Sequence, residues 1–318
     1  MITAGLRRAI AAAAGREDAD PLLRPGPVPG SYASSLPFRL DPGDPRTAAE
    51  GLAARLREQL WIAEAEVTGP GFVTVTVTHA TLARLAIRIA HAGPACAESD
   101  ALAGRTVPVP WPAPVADWPQ ARAALAAELT GRLAAAAGAI IDPERAPVPA
   151  PPPPSRDPVA EAIHYAGPDA VRFALARMPP GGKPPEAIVI ARQELANPAY
   201  AVRYAHAAAA AVLRWAAALE IRPGGFTPRL LAEPGELALL DALSWLPERV
   251  AAAARRGRPD EFAGYLAELA ACTIDTMSTT SFRKIPDITS ERLWLADAAR
   301  TGLAAALGLL GIDAPSRL

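Results

Sequence analysis

The sequence predicts an α+β N-terminal domain with a small antiparallel sheet, followed by an all-α helical bundle. Three observations support this fold class. About half of the 318 residues are hydrophobic but only 5% are aromatic, so alanine and short aliphatic side chains supply the core, as in packed helices. Strand-like alternation of apolar residues is found only before residue 80, whereas the patterns after residue 158 have helical spacing. The 35 prolines mark linkers and helix starts.

Helices of the first domain, residues 1–93, are marked by their ends. A helix is predicted over residues 2–14 and ends at Gly15. A second begins at Asp44, an N-cap residue followed by proline. A third is expected over residues 80–91, where leucine and isoleucine recur at helical spacing. We expect this third helix to cover one face of the sheet.

Three strands are predicted for the same domain. Residues 72–78 alternate valine with threonine, which is typical of a half-buried strand, and residues 61–67 precede them across the Gly69–Gly71 turn. Residues 36–40 also alternate apolar and other side chains, and Pro37 would place that strand at a sheet edge. The sheet is therefore expected to be antiparallel.

A proline-rich connector with one helix is predicted over residues 94–157. The prolines at alternate positions of residues 107–119 exclude a central strand and favour an extended surface segment. The one helix spans residues 119–137. Residues 146–158 have the composition of a polyproline spacer, and we place the domain boundary there.

The second domain, residues 158–318, is predicted to be a helical bundle. Its apolar residues recur at helical spacing, and glycines and prolines separate the helices. The predicted helices, named by their apolar stripes, cover residues 202–216, 239–250, 262–277 and 293–310.

Charge and cysteine content exclude several classes of protein. The net charge is −1, and residues 1–155 carry 14 basic and 15 acidic side chains against 18 of each afterwards, so neither half is polybasic. Cys96 and Cys272 have no CxxC spacing, which argues against a disulfide framework or a zinc site. The sequence has neither a signal-peptide pattern nor 18 consecutive uncharged apolar residues. We expect a cytoplasmic protein with no membrane partner.

Catalytic motifs are missing from the sequence. It contains no GxGxxG, GxxxxGK[ST], HExxH or GxSxG pattern, and the four histidines have no partner at metal-ligand spacing. The sequence therefore predicts no catalytic residue, no metal and no cofactor.

Two segments of the second domain resemble arginyl-tRNA synthetases. The segment Gln193-Glu-Leu-Ala-Asn-Pro-Ala-Tyr-Ala-Val-Arg-Tyr-Ala-His-Ala207 resembles the opening of their DALR-type anticodon-binding domain, and Gly167-Pro-Asp-Ala-Val-Arg-Phe-Ala-Leu175 is similar to the segment that leads into it. The chain end, 309–318, is similar to the family's C-terminus. The resemblance implies that residues 158–318 have the fold of an anticodon-binding domain.

The first domain resembles the additional N-terminal domain of the same family, which contacts the tRNA elbow. Gly30-Ser-Tyr-Ala-Ser-Ser35 and Val67-Thr-Gly-Pro-Gly-Phe-Val73 carry this resemblance. Between the two regions neither a His-x-Gly-His nor a Lys-Met-Ser-Lys-Ser-like sequence occurs, and about 65 residues are too few for a doubly wound catalytic domain. The resemblance thus implies a paralogue without the aminoacylation site, hence not an enzyme.

Nine residues are the candidates for nucleic-acid binding that this resemblance implies. In the anticodon-binding-like domain and its C-terminus they are Tyr200, Arg203, Tyr204, His206, Arg317 and Leu318. In the N-terminal domain they are Tyr32, Ser35 and Phe38. Aromatic rings would stack on splayed bases and arginine would hold phosphates. The alternative is that the aromatic residues and His206 pack inside the fold, since an i, i+4 pair of tyrosines is also typical of a buried stripe.

Several positions depart from the family pattern, among them Arg203 for a frequent glutamine, Ser35 for asparagine and Leu318 for the terminal methionine. Ala201 replaces a frequent tyrosine, Ala208 a frequent arginine, and Thr276 and Met277 a frequent Phe-Tyr pair. Because these changes remove stacking surface, the resemblance implies weakened anticodon affinity. Two hypotheses follow. The chain binds tRNA, with arginine tRNA as one candidate, or it is a protein-interaction module whose two domains pack on each other and dock on a tRNA-dependent enzyme.

Overall fold

A computed structural model gives the fold, and it describes residues 1–16, 19–110, 117–144, 158–279, 282 and 289–318. The spacer predicted over residues 146–158 lies almost entirely outside the described residues. The strands are β1 (Leu23–Pro25), β2 (Ser31–Ser34), β3 (Ile62–Thr68), β4 (Phe72–Val77), β5 (Thr106–Pro110) and β6 (Ile140–Glu144).

The helices occur in both halves of the chain. Those before residue 145 are α1 (Ile2–Ala14), α2 (Pro37–Leu40), α3 (Pro45–Leu56), α4 (His79–Ala83), α5 (Leu85–Ala92) and α6 (Trp118–Ala136). Those after residue 157 are α7 (Pro158–Ala166), α8 (Pro168–Arg177), α9 (Ala187–Ile190), α10 (Pro198–Ala218), α11 (Pro234–Ser244), α12 (Leu246–Arg256), α13 (Pro259–Ser278) and α14 (Ser290–Leu310). The predicted fold class is confirmed.

The N-terminal sheet is antiparallel, with strand order β1-β2-β4-β3. Val73, Val75 and Val77 are buried on one face of β4, and the intervening threonines are half-buried on the other. The Asp44 side chain accepts a hydrogen bond from the Thr47 amide and caps α3, as its position before Pro45 predicts. Local pattern and capping therefore determined these elements.

The strand predicted over residues 36–40 is wrong. The chain there forms α2, and the strand lies earlier, over Ser31–Ser34. The Ser34 hydroxyl accepts a hydrogen bond from the Leu36 amide at 3.2 Å, and Pro37 has no amide hydrogen. Because two successive ladder donors are lost, pairing ends at Ser34, and Pro37 begins a helical turn instead.

The connector contains a small parallel sheet and one long helix. β5 pairs with β6, so both strands are edges and the prolines of β5 cost no hydrogen bond inside a larger sheet. α6 matches the predicted helix closely, and Leu125, Leu129 and Leu133 are buried. α6 packs against α8 and α12, so the connector helix is part of the folded core.

The helical region is built around α10, α13 and α14, which pack against one another. The helix predicted over residues 239–250 is divided into α11 and α12 at Trp245. Pro247 lies in the first turn of α12, where its missing amide hydrogen breaks no helical hydrogen bond. By length and composition alone α14 could cross a membrane, but 67% of its apolar window is buried inside the protein, as in a core helix.

The N-terminal sheet packs directly on α11 and α12. Arg7 of α1 donates to both carboxylate oxygens of Glu248, from Nε at 2.7 Å and from Nη2 at 2.6 Å. The Tyr32 hydroxyl donates to Ser244 Oγ at 2.7 Å, and the Gly30 amide donates to Asp241 Oδ1 at 2.9 Å. Buried polar contacts therefore join residues that are more than 200 positions apart.

Candidate nucleic-acid interface

The start of α10 is determined by the Asn-Pro pair of the sequence motif. Asn197 is the N-cap, and its side-chain oxygen accepts from the Ala199 amide at 3.1 Å. Its amide nitrogen donates to the carbonyl oxygens of Ile190, at 2.9 Å, and Arg192, at 2.6 Å. Asn197 thus fixes the loop that precedes α10 against the helix end.

Tyr200 and Tyr204 form a stacked pair on the first turns of α10. Their ring centroids lie 5.9 Å apart with an interplanar angle of 29°, and both side chains are half-buried. Neither ring is enclosed by the core, unlike Val202 and Ala205 on the opposite stripe. The pair therefore offers an aromatic surface beside the protein core.

Arg203 lies between these tyrosines in sequence and is incompletely paired. Its Nε is 3.8 Å from Asp169 Oδ2 of α8, and this Nε is buried without a hydrogen-bond partner. A buried donor left without an acceptor costs about 1–3 kcal/mol. Because this Nε is buried, a ligand phosphate would contact the outer part of the Arg203 side chain, which is 31% exposed.

A cavity of about 170 Å³ unites residues from three parts of the chain. Tyr200 and Arg203 line it from α10, Leu318 from the C-terminus, and Arg192 with Gln193 from the loop before α10. Three of the predicted candidates, Tyr200, Arg203 and Leu318, are thus brought together by the fold. Sequence reasoning missed Arg192 and Gln193 as lining residues, although Gln193 opens the quoted segment and Arg192 directly precedes it.

The C-terminal tail packs on α10 through His206. The imidazole is 4% exposed, and its Nδ1 donates to the carbonyl oxygen of Pro315 at 2.8 Å. Arg214 holds the tail through the Ser316 carbonyl oxygen, whereas Arg317 is exposed. The interpretation of His206 as a base-contacting residue is therefore corrected, because its ring is buried and its role is to fasten the tail that carries Leu318.

Burial lowers the pKa of His206, against the opposing effect of its hydrogen bond to Pro315. The unfolded chain then binds a proton more readily than the folded one, so stability is expected to fall as the pH falls through about 6.5. His206→Gln removes this titration. We expect the stability difference between the wild type and this variant to shrink between about pH 7.5 and pH 5.5 in urea unfolding. A difference independent of pH would contradict this account.

The N-terminal candidates lie elsewhere, and one of them is corrected. Tyr32 is fully buried, with its ring 5.1 Å from that of Trp245, so the ring contacts protein and is closed to a base. Phe38 is half-buried against Phe72 at 4.9 Å between ring centroids, and Ser35 is half-buried. The resemblance named Tyr32 as a candidate and left its burial open as the alternative, because that burial depends on a helix far away in sequence.

The described part of the chain offers neither a metal site nor a reactive thiol at Cys96. Among those residues no group of three or more histidines, cysteines, aspartates or glutamates is arranged to hold a metal ion. Cys96 is buried, and burial raises the pKa of its thiol to about 12. This thiol is therefore protonated and unreactive near neutral pH.

The sequence of α10 and everything after it matches a known domain family. The family model is that of the DALR anticodon binding domain, over residues 202–318. Residues 202–318, called the DALR domain below, are therefore similar to a DALR anticodon binding domain. This DALR domain contains Arg203, Tyr204, His206 and the tail with Leu318, and Tyr200 stands one half-turn before its first matched residue.

Curated relatives of the DALR-domain half are arginine–tRNA ligases. The chain is 35% identical over 167 residues to the ligase of Clavibacter sepedonicus and 37% identical over 167 residues to that of Renibacterium salmoninarum. Each match covers 50% of this chain and 30% of the ligase. The chain thus spans about a third of the length of these relatives. The predicted resemblance to arginyl-tRNA synthetases is confirmed.

The fold is also shared with a solved synthetase. The structure of Thermus thermophilus arginyl-tRNA synthetase aligns with a TM-score of 0.68 over 100% of both chains, at 14% sequence identity. This likeness concerns the fold alone, including the N-terminal sheet ahead of the DALR domain.

Proposed function

We propose that the chain binds tRNA through the surface formed by the first turns of α10 and the C-terminal tail. The observation that carries this proposal is the convergence of Tyr200, Arg203 and Leu318 on one cavity at the start of the DALR domain. Arginine tRNA is the first candidate because the curated relatives are arginine–tRNA ligases. The N-terminal residues Ser35 and Phe38 would add a second contact in the same complex.

The chemistry of the surface suits an unstacked RNA base with its phosphate. The Tyr200–Tyr204 pair supplies an aromatic platform, and stacking a base on such a ring contributes about 1–3 kcal/mol. Arg203 is partly exposed and Arg192 is exposed beside it on the same cavity, so phosphate oxygens would meet two guanidinium groups. Neutral overall charge requires that such contacts be local.

Binding without aminoacylation is the role we propose. The chain lacks the two nucleotide-handling signatures of a class I synthetase, and its relatives match it over the anticodon-binding part. The proposed location is the cytoplasm, where tRNA is used.

Tyr200→Ala is expected to weaken tRNA binding about 5- to 150-fold, because one stacking platform is lost. Arg203→Gln is expected to make tRNA affinity less dependent on salt, by the slope that corresponds to about one phosphate contact. Filter binding of labelled total tRNA at two salt concentrations, with sequencing of the retained species, measures both effects. Circular dichroism would establish that the variants are folded.

Arg222→Gln is the matched control for Arg203→Gln. Arg222 is exposed beyond the other end of α10, and the 21-residue helix places it about 30 Å from Tyr200. The Arg222→Gln variant loses one positive charge, as Arg203→Gln does, but it should leave tRNA affinity unchanged. Equal losses for both arginine variants, or no retention of tRNA by the wild type, would overturn the proposal.

A protein-docking module is the second candidate. It is favoured by an apolar cavity of about 270 Å³ lined by Phe173, Met178 and Val189, next to the exposed side chains of Ile188 and Leu195. A tRNA-dependent enzyme is the partner we would test. Absence of tRNA binding together with a stable complex with such an enzyme after nuclease treatment would favour this candidate over the first.

A further inference from the structure

A third cavity lies in the N-terminal domain, between α1 and the α4–α5 pair. Its volume is about 590 Å³, within the range of about 300–1,000 Å³ that is usual for small-molecule sites. Arg8 lines it from α1, Gln59 and Trp61 from the chain entering β3, and Arg84 and Arg88 from the other side.

The charge of this cavity is positive and unbalanced. Arg8, Arg84 and Arg88 are exposed, no carboxylate is among the residues that line the cavity, and none of the three forms an ion pair with a residue that the structure describes. Arg84 and Arg88 are one helical turn apart, so they repel each other and weaken the local helix. The three exposed guanidinium groups therefore create a local positive potential that favours an anion.

Two of these arginine charges act on the amino group of Met1, which also lines the cavity. Burial lowers its pKa, and the charges of Arg88 and Arg8 lower it further, while Asp100 acts in the opposite direction. Arg8 and Arg88 therefore act on the same point from different helices. A ligand phosphate placed there would meet both guanidinium groups.

Trp61 adds an aromatic surface to the same cavity. Its side chain is half-buried, and its ring lies close to Gly5 of α1. Gln59 is exposed two residues earlier and offers an amide donor and acceptor. An aromatic ring beside arginines and an amide is the combination that binds a base together with its phosphate.

We propose that this cavity binds a nucleotide, with the base on Trp61 and the phosphate on Arg8, Arg84 and Arg88. The nucleotide is either free or part of an RNA strand, and both share the same chemistry. This inference does not depend on tRNA binding by the DALR domain.

The cavity is also distinct from the N-terminal candidates Ser35 and Phe38. Phe38 packs on Phe72 at the start of β4, whereas the Trp61 carbonyl oxygen accepts from the Thr78 amide just after the end of β4. The six residues of β4 therefore separate the two places by about 20 Å.

The test uses the full chain and two probes, adenosine 5′-monophosphate by calorimetry and fluorescein-labelled hexauridylate by anisotropy, at low salt. We expect at least one probe to bind with a dissociation constant below about 1 mM. The double variant Arg84→Gln/Arg88→Gln should weaken that binding at least about tenfold, and Trp61→Leu about 5- to 150-fold. Binding of the monophosphate supports a free nucleotide, and binding of the oligomer alone supports an RNA strand.

Arg46→Gln is the control, because it removes an exposed arginine far from the cavity. Pro45, the neighbour of Arg46, lies beside Gly71 at the start of β4, whereas the cavity lies beyond the other end of that strand. The Arg46→Gln variant should leave binding of either probe unchanged. Arg84→Gln/Arg88→Gln should cause the same loss of probe binding in a Tyr200→Ala/Arg203→Gln background as in the wild type, which separates this site from the DALR-domain site. Failure of both probes to bind, or equal affinity of the wild type and Arg84→Gln/Arg88→Gln, would overturn the proposal. Arg84 and Arg88 are exposed, so the Arg84→Gln/Arg88→Gln variant is expected to fold. It therefore tests binding even if Trp61→Leu does not fold.

Discussion

Replacing Arg7 with methionine is expected to lower the free energy of unfolding by about 3 kcal/mol, the lower end of the cost of breaking a buried ion pair. Arg7 makes two hydrogen bonds to Glu248 and one to Asp20, and its side chain is only 15% exposed. Without it, Arg255 at 4.0 Å is the one remaining ion-pair partner of Glu248 among the residues that the structure describes. Urea unfolding followed by circular dichroism measures the change.

The double variant Arg7→Met/Glu248→Met is the control for this prediction. A buried ion pair replaced by apolar side chains of similar volume is often neutral in stability, so the double variant should recover most of the loss. The cost therefore arises from the isolated carboxylate of Glu248. A single variant that loses less than about 1 kcal/mol, or a double variant no more stable than the single one, would contradict the assigned role.

The stabilisation by the ion pairs of Arg7 is expected to be lost at acid pH. Burial acts to raise the pKa of Asp20, but the Leu22 amide and the charges of Arg7 and Arg255 outweigh it, so the pKa of this carboxyl group lies below its usual value. Asp20 therefore contributes its full stabilisation at pH values above the pKa of an aspartate in the unfolded chain. This stabilisation is lost as the pH falls towards the lower pKa of Asp20 in the folded protein. These ion pairs consequently hold α1 against α12 across the neutral range.

Replacing Tyr32 with alanine is expected to cost about 3–5 kcal/mol of stability, as for other large buried aromatic side chains. The ring is fully buried against Trp245, and its hydroxyl donates to Ser244. The variant removes both the packing and the hydrogen bond between β2 and the helical region. Thermal and urea unfolding of the purified variant would measure the loss.

Tyr32→Phe separates the two contributions. It keeps the ring and removes only the hydrogen bond, so a loss of about 1 kcal/mol is expected. Its affinity for tRNA should equal that of the wild type, because the hydroxyl is occupied by Ser244. A large drop in tRNA affinity with unchanged stability would restore Tyr32 as an RNA contact.

The N-terminal domain and the helical region are in direct contact, because the sheet packs on α11 and α12. Arg7, Tyr32 and Gly30 join the N-terminal domain to the helical region through buried polar groups. This is the packing that the protein-docking hypothesis assumes, and it equally gives an RNA ligand a rigid frame with two fixed surfaces. Interface variants should therefore alter stability before they alter binding at α10.

Local sequence determined the elements that depend on neighbouring residues. Asp44 and Pro45 start α3, Asn197 and Pro198 start α10, and the valine–threonine alternation defines β4. Capping, proline geometry and a period of two act within a few residues, so they can be inferred from sequence. The quoted motifs also sufficed to identify the relationship to arginyl-tRNA synthetases, which the family match confirms.

Only the tertiary structure decided which candidate side chains are open to a ligand. Tyr32 is closed by Ser244 and Trp245, and His206 by Pro315, partners that lie 109 to about 210 residues away. The same long-range packing brings Leu318 to Tyr200 and unites Trp61 with the arginines of α1 and α5. Exposure depends on such distant contacts, and the spacing of residues along one helix or strand does not contain them.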